Sequence, residues 1–278
     1  MKNFIVRTIT GIIFVAAIVT CFLRPEAMIL LFAIVTGLTI WEFAGLVNAR
    51  EGVAINRMIC TVAGVYFFLA MAGYNSGMTP STVFVPYLLS VVYLLVAELY
   101  LKQKDPVNNW AYTMMSQMYV ALPFSLIPVL GFMSDPAHPM EIQYRWIFPL
   151  AVFIFLWTSD TGAYCFGSLF GRHRLFERIS PKKSWEGSVG GACVSMAAAC
   201  AVAHFDSSLT LPQWLGFALV VVVFGTWGDL VESLLKRQLG IKDSGNILPG
   251  HGGMLDRFDS SLLAIPAVVV YLYTLTLL

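Results

Sequence analysis

The chain of 278 residues is 58% hydrophobic and only 12% charged, with a mean hydropathy of +0.75 and a formal net charge of +1. A soluble globular domain carries about 25% charged residues, so this composition predicts an all-α, polytopic integral membrane protein. The near-zero net charge provides no overall field that would attract nucleic acid.

Nine apolar stretches are long enough to be transmembrane helices, which need about 20 mostly apolar residues. In chain order they are 4–23, 26–47, 57–73, 81–101, 110–132, 146–170, 187–206, 212–235 and 260–278. The first follows a basic start, as the apolar part of a signal peptide would. It ends in CFLRPEA without a small-residue cleavage site, so we expect it to be retained as a span.

Lysine and arginine residues indicate how these spans are oriented. If the N-terminus faces the cytoplasm, that side holds 15 of the 17 Lys and Arg residues, and only Arg24 and Arg145 lie opposite. This asymmetry follows the positive-inside rule and predicts a C-terminus on the opposite side of the cell membrane. The polar segments 171–186 and 236–257 then share the cytoplasmic side.

The distribution of polar residues also predicts two regions. We expect residues 1–145 to form a scaffold of helices that contributes to a dimer or to a cleft for lipid. We expect residues 146–278 to form the catalytic region, because the informative polar segments all lie there.

The eighth span ends in a polar face. Asp229, Glu232, Ser233 and Lys236 fall at helical spacing and therefore share one side. Ionisable groups in a span are costly in lipid and usually mark function. The alternative is a helix end whose basic side chains reach the interface. That alternative explains Lys236 and Arg237 but not Asp229, which lies one turn deeper, so we predict a functional role for Asp229.

A glycine-rich segment, PGHGG at 249–253, precedes the ninth helix, near whose start Asp256 and Asp259 share a face. Glycine lets a backbone approach a ligand closely, and a helix N-terminus favours phosphate. Two carboxylates in this position also suit Mg²⁺, which binds one or two carboxylates together with waters and phosphate oxygens. In the alternative interpretation the acids only cap the helix. Because KR, KD and DRxD occur in the same stretch, we favour a phosphate-handling site.

The sixth span ends with Asp160 among polar neighbours, and a basic segment follows it. A carboxylate is costlier in a helix bundle than a hydroxyl that makes an interhelical hydrogen bond, so we favour a functional Asp160. The following segment carries five Lys and Arg residues. It either contacts anionic lipid head groups or clamps a triphosphate or lipid phosphate. Lys182 and Lys183 are the leading candidates, because Pro181 and Gly187 frame them as an ordered turn.

These segments resemble the signature of phosphatidate cytidylyltransferases, also called CDP-diacylglycerol synthases. The signature residues are Ser233-x-x-Lys236-Arg237, then Lys242-Asp243, then Pro249-Gly250-His251-Gly252-Gly253-x-x-Asp256-Arg257-x-Asp259, with no departure. Two further segments are similar to the family: Ser159-Asp160-Thr161-Gly162-Ala163-Tyr164, and Ser180-Pro181-Lys182-Lys183 followed by Ser184, where threonine is common. The resemblance is sharp over 146–278, whereas the N-terminal half matches only as an apolar scaffold.

The resemblance implies a nucleotidyltransferase of phospholipid biosynthesis. Such an enzyme makes CDP-diacylglycerol and pyrophosphate from CTP and phosphatidic acid. The resemblance also implies Mg²⁺, a monovalent cation such as K⁺, a homodimer, and a metal centre formed by acids at the positions of Asp229 and Asp256.

Each candidate residue receives a hypothetical role on this basis. The metal ligands would be Asp229, Asp256 and, directly or through water, Asp259. Repulsion between the two anionic substrates would be screened by Lys236, Arg237 and Lys242. Other contacts to substrate would come from Ser233, His251, Gly252, Gly253 and Arg257, with Lys182 and Lys183 at the lipid head group. Asp160 and Asp243 are candidate catalytic residues whose role is open. Each could be a metal ligand, the partner of a lysine or a residue that recognises cytosine.

Other functional classes fit parts of the sequence. A related membrane enzyme that uses CTP to phosphorylate a polyisoprenoid alcohol would release lipid phosphate and CDP. A transporter would use Asp160 and Asp229 as ion-coupling acids. Transporters, however, often contain two repeated halves with interrupted helices, whereas the polar residues here lie mainly in the C-terminal half and on one side. A pure scaffold leaves PGHGG beside DRFD unexplained.

Overall fold

The computed structural model describes residues 2–135, 138–245, 247 and 252–277 of the chain. Within these residues, eight helices are long and apolar enough to cross a membrane. They are Pro25–Asn48, Arg57–Asn75, Ser81–Leu101, Pro106–Gly131, Ile147–Phe170, Trp185–Phe205, Leu211–Gln238 and Leu255–Leu275. Each coincides with a predicted span, which confirms a multi-pass, mainly helical membrane protein. The first helix contributes a shorter described apolar part, Ile9–Phe22, so the count of nine spans and the sides of the termini stay predictions.

The chain divides into two compact units that do not follow the sequence in order. The first unit comprises Met1–Trp146 and Leu239–Arg257, and the second comprises Ile147–Gln238 and Phe258–Leu278. The sequence predicts a boundary at 145/146, but it does not predict that the polar segment after the eighth span groups with the N-terminal helices.

The first unit contains α1 to α7 and a hairpin. The helices are α1 (Lys2–Phe22), α2 (Pro25–Asn48), α3 (Arg57–Asn75), α4 (Val85–Leu101), α5 (Pro106–Met115), α6 (Leu122–Ser125) and α7 (Ile127–Gly131), with a 3₁₀ turn at Ser81–Phe84 and a π-helical stretch at Ser116–Ala121. Prolines open α2 and α5, where the missing N–H has no helical partner to lose. Asn56 begins α3 by accepting a hydrogen bond from the backbone N–H of Ile59 at 3.0 Å.

The second unit contains α8 (Ile147–Phe170), α9 (Trp185–Phe205), α10 (Leu211–Gln238) and most of α11 (Leu255–Leu277). Its core is aromatic: the fully buried Trp214 packs on the rings of Phe148, Phe155 and Phe217, with centroids 5.4 to 6.3 Å apart. Helices α8 and α9 approach closely through glycine, since a Cβ at Gly162 would lie 2.9 Å from the Cα of Gly191. Small residues permit such backbone contact between membrane helices.

The predicted helical fold contains two short antiparallel hairpins between its helices, which the sequence did not predict. Strands β1 (Phe132–Asp135) and β2 (His138–Tyr144) pair with Phe132 opposite Tyr144. Strands β3 (Arg174–Phe176) and β4 (Ser180–Ser184) pair with Phe176 opposite Ser180. Pairing satisfies backbone groups that a connection between helices would otherwise leave to water. In β2, Met140, Ile142 and Tyr144 alternate with Glu141 and Gln143, a strand pattern that a search for apolar spans does not use.

Candidate active site

Three carboxylates of the second unit lie together. Asp229 and Glu232 are on α10 and Asp259 is on α11, and one oxygen from each lies within 4.8 Å of the others. Asp229 and Glu232 share a helix face because they are three residues apart, as predicted. The sequence predicts that Asp229 and Asp259 meet only as part of the proposed metal centre, and it places Glu232 on the polar face without assigning it a role.

Neighbouring groups bind these carboxylates and offset their charge. The hydroxyl of Ser233 donates to Oδ1 of Asp229 at 3.1 Å, and Nζ of Lys183 lies 2.5 Å from Oδ2 of the same residue. On the same helix, Nζ of Lys236 lies 2.5 Å from Oε2 of Glu232, whose side chain is fully buried. A buried carboxylate is costly without such partners. Ser233, Lys183 and Lys236 therefore stabilise the acids of this cluster.

Glycine brings α10 and α11 close enough for this arrangement. A Cβ at Gly228 would lie 2.6 Å from the backbone oxygen of Asp259 and 3.0 Å from the Cα of Ser260. Both distances are shorter than side-chain atoms normally tolerate. The absence of a side chain immediately before Asp229 therefore sets the spacing between Asp229 and Asp259.

The hairpin β3–β4 carries the two predicted lysines. Lys182 is exposed, and Lys183 reaches Asp229. The carboxylate of Glu186, at the start of α9, accepts hydrogen bonds from the backbone N–H groups of Arg172 at 3.1 Å and His173 at 3.2 Å, which tie the hairpin to the helix. The carboxylate of Asp160, on α8, repels the carboxylate of Asp259, and the ammonium group of Lys183 attracts it.

Asp256 makes a separate set of contacts inside the first unit. Its Oδ2 accepts hydrogen bonds from the backbone N–H groups of Ser244 and Gly253, both at 2.9 Å. Asp256 thus caps the start of α11, as in the alternative interpretation of these acids, and the N–H of Gly253 donates to a carboxylate. At Gly252 the backbone φ is +82°, and a Cβ would meet Oδ2 of Asp256 at 2.5 Å, so this position requires glycine.

A second acid, which the sequence did not single out, lies beside Asp256. Glu42 of α2 is 7% exposed and accepts hydrogen bonds from Ser244 Oγ at 2.5 Å, Met254 N at 2.9 Å and Leu255 N at 3.0 Å. Its signal was an acid inside the apolar run LTIWEFAGLV. That signal is the same one that pointed to Asp160 and Asp229.

Four of the other predicted residues share an exposed position. Arg237, Lys242, Asp243 and Arg257 are exposed, and their roles stay predictions. His251 lies outside the described residues, so its predicted contact with phosphate also stays a prediction.

The donor set at Asp229, Glu232 and Asp259 fits a hard divalent cation. Every donor is a carboxylate oxygen, which is the ligand that Mg²⁺ prefers. Two carboxylates at short range also repel each other unless a cation lies between them. The cluster is therefore chemically suited to a cation that also contacts phosphate.

Known proteins identify the class to which this chain belongs. The model of the cytidylyltransferase family matches residues 5–275. The chain therefore belongs to the cytidylyltransferase family, and it is an enzyme that transfers a nucleotidyl group.

Individual relatives carry a more specific name. The chain is 32% identical over 269 residues to a phosphatidate cytidylyltransferase of Staphylococcus aureus, covering 96% of this chain and 98% of the relative. It is 33% identical over 274 residues to a phosphatidate cytidylyltransferase of Staphylococcus haemolyticus, with the same coverage of both chains.

Proposed function

We propose that this chain transfers the cytidylyl group of CTP to phosphatidic acid, giving CDP-diacylglycerol and pyrophosphate in phospholipid biosynthesis. The observation that carries the proposal is the cluster of Asp229, Asp259 and Lys183 in a chain whose relatives are phosphatidate cytidylyltransferases over nearly their whole length. A membrane-embedded enzyme suits a lipid substrate that never leaves the bilayer.

We assign Mg²⁺ to Asp229 and Asp259, which lie together in the second unit, and the role of Asp256 as a metal ligand stays a prediction. Asp256 lies one turn before Asp259 on α11, and the spacing of three residues supports a shared face. Glu232 is already paired with Lys236, so its role is to hold that lysine. When bound, Mg²⁺ would neutralise charge on the triphosphate and on the departing pyrophosphate. A monovalent cation such as K⁺ near the same acids belongs to this proposal.

The reaction needs charge neutralisation more than proton transfer. The phosphate of phosphatidic acid is already anionic near neutral pH, so its oxygen attacks the α-phosphorus of CTP without a strong general base. The bond from that phosphorus to the bridging oxygen breaks, and the oxygen leaves with pyrophosphate. Positioning and electrostatic stabilisation dominate such phosphoryl chemistry.

Basic residues supply this stabilisation in the proposal. Lys183 acts at the acid cluster, where its ammonium group already lies against Asp229. Lys236, Arg237 and Lys242 reduce the repulsion between the two anionic substrates. Lys182, exposed on the same strand as Lys183, receives the lipid head group.

The orientation of the enzyme follows from the distribution of basic residues. We propose an N-terminus in the cytoplasm, an active site on the cytoplasmic face of the cell membrane, and a homodimer. CTP is a cytoplasmic nucleotide, and 15 of the 17 Lys and Arg residues fall on that side in the proposed topology, which supports this orientation.

The decisive experiment is product analysis with purified protein. The protein in detergent micelles receives CTP labelled at the α-phosphate, phosphatidic acid and Mg²⁺, and lipid products are separated from nucleotides. We expect label in a CDP-lipid and one pyrophosphate released per lipid. Asp259→Asn serves as the inactive control. If the products are CDP and an additional lipid phosphate, the enzyme is a CTP-dependent kinase and the proposal is wrong.

A further inference from the structure

The carboxylate of Glu42 is buried in an apolar helix, and it accepts three hydrogen bonds there. Both of its oxygens accept hydrogen bonds: Oε1 from the hydroxyl of Ser244 and the N–H of Leu255, and Oε2 from the N–H of Met254. More than 200 residues of sequence separate Glu42 from these donors. Burying a carboxylate is unfavourable unless hydrogen bonds compensate for the lost water, and these three hydrogen bonds supply that compensation.

Two of the three donors that Glu42 binds, the N–H groups of Met254 and Leu255, lie at the start of α11. The first N–H groups of a helix have no partner within the helix, and a carboxylate placed there also interacts favourably with the helix dipole. Glu42 therefore caps α11 from another part of the chain, next to the cap that Asp256 supplies from within the helix.

Ser244 connects the two carboxylates. Its hydroxyl donates to Glu42 and accepts from the N–H of Asp256 at 3.3 Å, while its own N–H donates to Asp256. Ser244 on one side and residues 253–256 on the other thus form one closed set of hydrogen bonds around Glu42 and Asp256. Charge-assisted hydrogen bonds of this kind are stronger than neutral ones.

The backbone is shaped to admit the Glu42 side chain. A Cβ at Gly245 would lie 2.6 Å from Oε2 of Glu42, and a Cβ at Gly253 would overlap Oε1. Two glycines of the signature region thus make room for a carboxylate of α2. This close fit restricts where Asp256 can lie relative to the N-terminal helices of the same unit.

We propose that Glu42 is a positioning residue for the cytidylyl transfer: its carboxylate fixes Ser244 and residues 253–256, and thereby the orientation of Asp256. The inference rests on the proposed function for its kinetic part only. Glu42 itself acts through Asp256 and needs no contact with substrate.

The test compares Glu42→Gln with Glu98→Gln. Glu98 is also a buried acid of an apolar helix in the first unit, at 8% exposure, and it is held by the side chain of Asn109 at 3.1 Å. The two substitutions make the same chemical change. In Glu42→Gln the new NH₂ group faces backbone N–H donors and cannot accept from them, whereas Glu98 is bound by a side chain that can reorient. We expect Glu42→Gln to lower kcat about 10- to 100-fold, the loss typical of charged hydrogen bonds, with the KM for CTP changed less than about threefold. Glu98→Gln should retain kcat.

Hydrogen exchange supplies a readout that does not depend on activity. Glu42→Gln should accelerate exchange of the amides of 253–256 while leaving the helices of the second unit as in the wild type. Glu42→Asp, which keeps the charge but is one methylene shorter, should recover part of kcat. If the exchange in 253–256 matches that of Glu98→Gln, the inference is overturned, even when the CDP-lipid assay is positive. If no CDP-lipid forms in the wild type but this exchange still rises, the proposed function fails and the structural part of the inference holds.

A second variant covers the case in which Glu42→Gln does not fold. Ser244→Ala keeps both carboxylates and removes the hydroxyl that links them. We expect faster exchange at the amide of Asp256 and a loss of kcat smaller than that of Glu42→Gln. Unchanged exchange and unchanged kcat in this variant would also overturn the inference.

Discussion

Replacing Gly228 by alanine should lower the activity of the enzyme much more than its stability. The new Cβ would lie 2.6 Å from the backbone oxygen of Asp259, 0.8 Å short of the 3.4 Å at which ordinary contact begins. Because the obstacle is backbone, α10 and α11 must separate by about that amount. Overpacking costs about 1–3 kcal/mol, but alanine in place of glycine favours a helix by about 1 kcal/mol. The free energy of unfolding should therefore fall by only about 0–2 kcal/mol.

The effect on activity should be much larger, because the separation moves Asp229 away from Asp259. A misplacement near 1 Å can cost about 100-fold in rate, and we expect a loss of that order in kcat for CDP-lipid formation. The matched control is Gly225→Ala, one turn earlier on α10. Its Cβ would meet the tip of the Leu156 side chain, which can rotate away, and would reach Ser260 only at an ordinary 3.8 Å. Equal activity of the two variants, with equal thermal stability, would refute the argument that Gly228 sets the spacing of the acids.

Three further outcomes are expected. Asp259→Asn should abolish the stimulation of CDP-lipid formation by Mg²⁺ while the protein stays folded; near-normal turnover in a Mg²⁺ titration would contradict the metal assignment. Lys183→Ala should lower kcat, since its ammonium group binds Asp229, whereas Lys182→Ala should raise the apparent KM for phosphatidic acid in mixed micelles. An identical kinetic change in both lysine variants would remove the distinction between them. Glu186→Gln should loosen the hairpin that carries both lysines, seen as faster hydrogen exchange across β3–β4, with a loss of kcat smaller than that of Lys183→Ala.

Much of the fold follows from the sequence because lipid imposes a simple rule. A helix must be about 20 residues long and apolar to cross the bilayer, and eight predicted spans have helices at the same positions. The hairpins escaped prediction because a search for apolar stretches of about 20 residues does not detect strands of three to seven residues between the spans. The segment Leu239–Arg257 groups with the N-terminal helices and binds Glu42 of α2, and no local pattern links those parts of the chain.

The candidate site was predictable to the extent that its residues are close in sequence. Asp229, Glu232 and Ser233 are placed on one face by helical spacing alone. The short contacts between helices depend instead on how the helices pack. The need for glycine at position 228 becomes visible only when the backbone of α11 is known to lie against it. Glu42 was missed for a similar reason: one acid in an apolar run has many explanations until its three donors are known.

Charge balance explains why the acids of the second unit occur with a hairpin of basic residues. Three carboxylates, Asp229, Glu232 and Asp259, lie near two ammonium groups, those of Lys183 and Lys236. Lys236 is fixed one turn from its partner on the same helix, so it compensates Glu232 permanently. Lys183 comes from strand β4, outside the helices, and binds Oδ2 of Asp229. With three carboxylates and two ammonium groups, the cluster keeps an excess of negative charge, which suits the proposed cation.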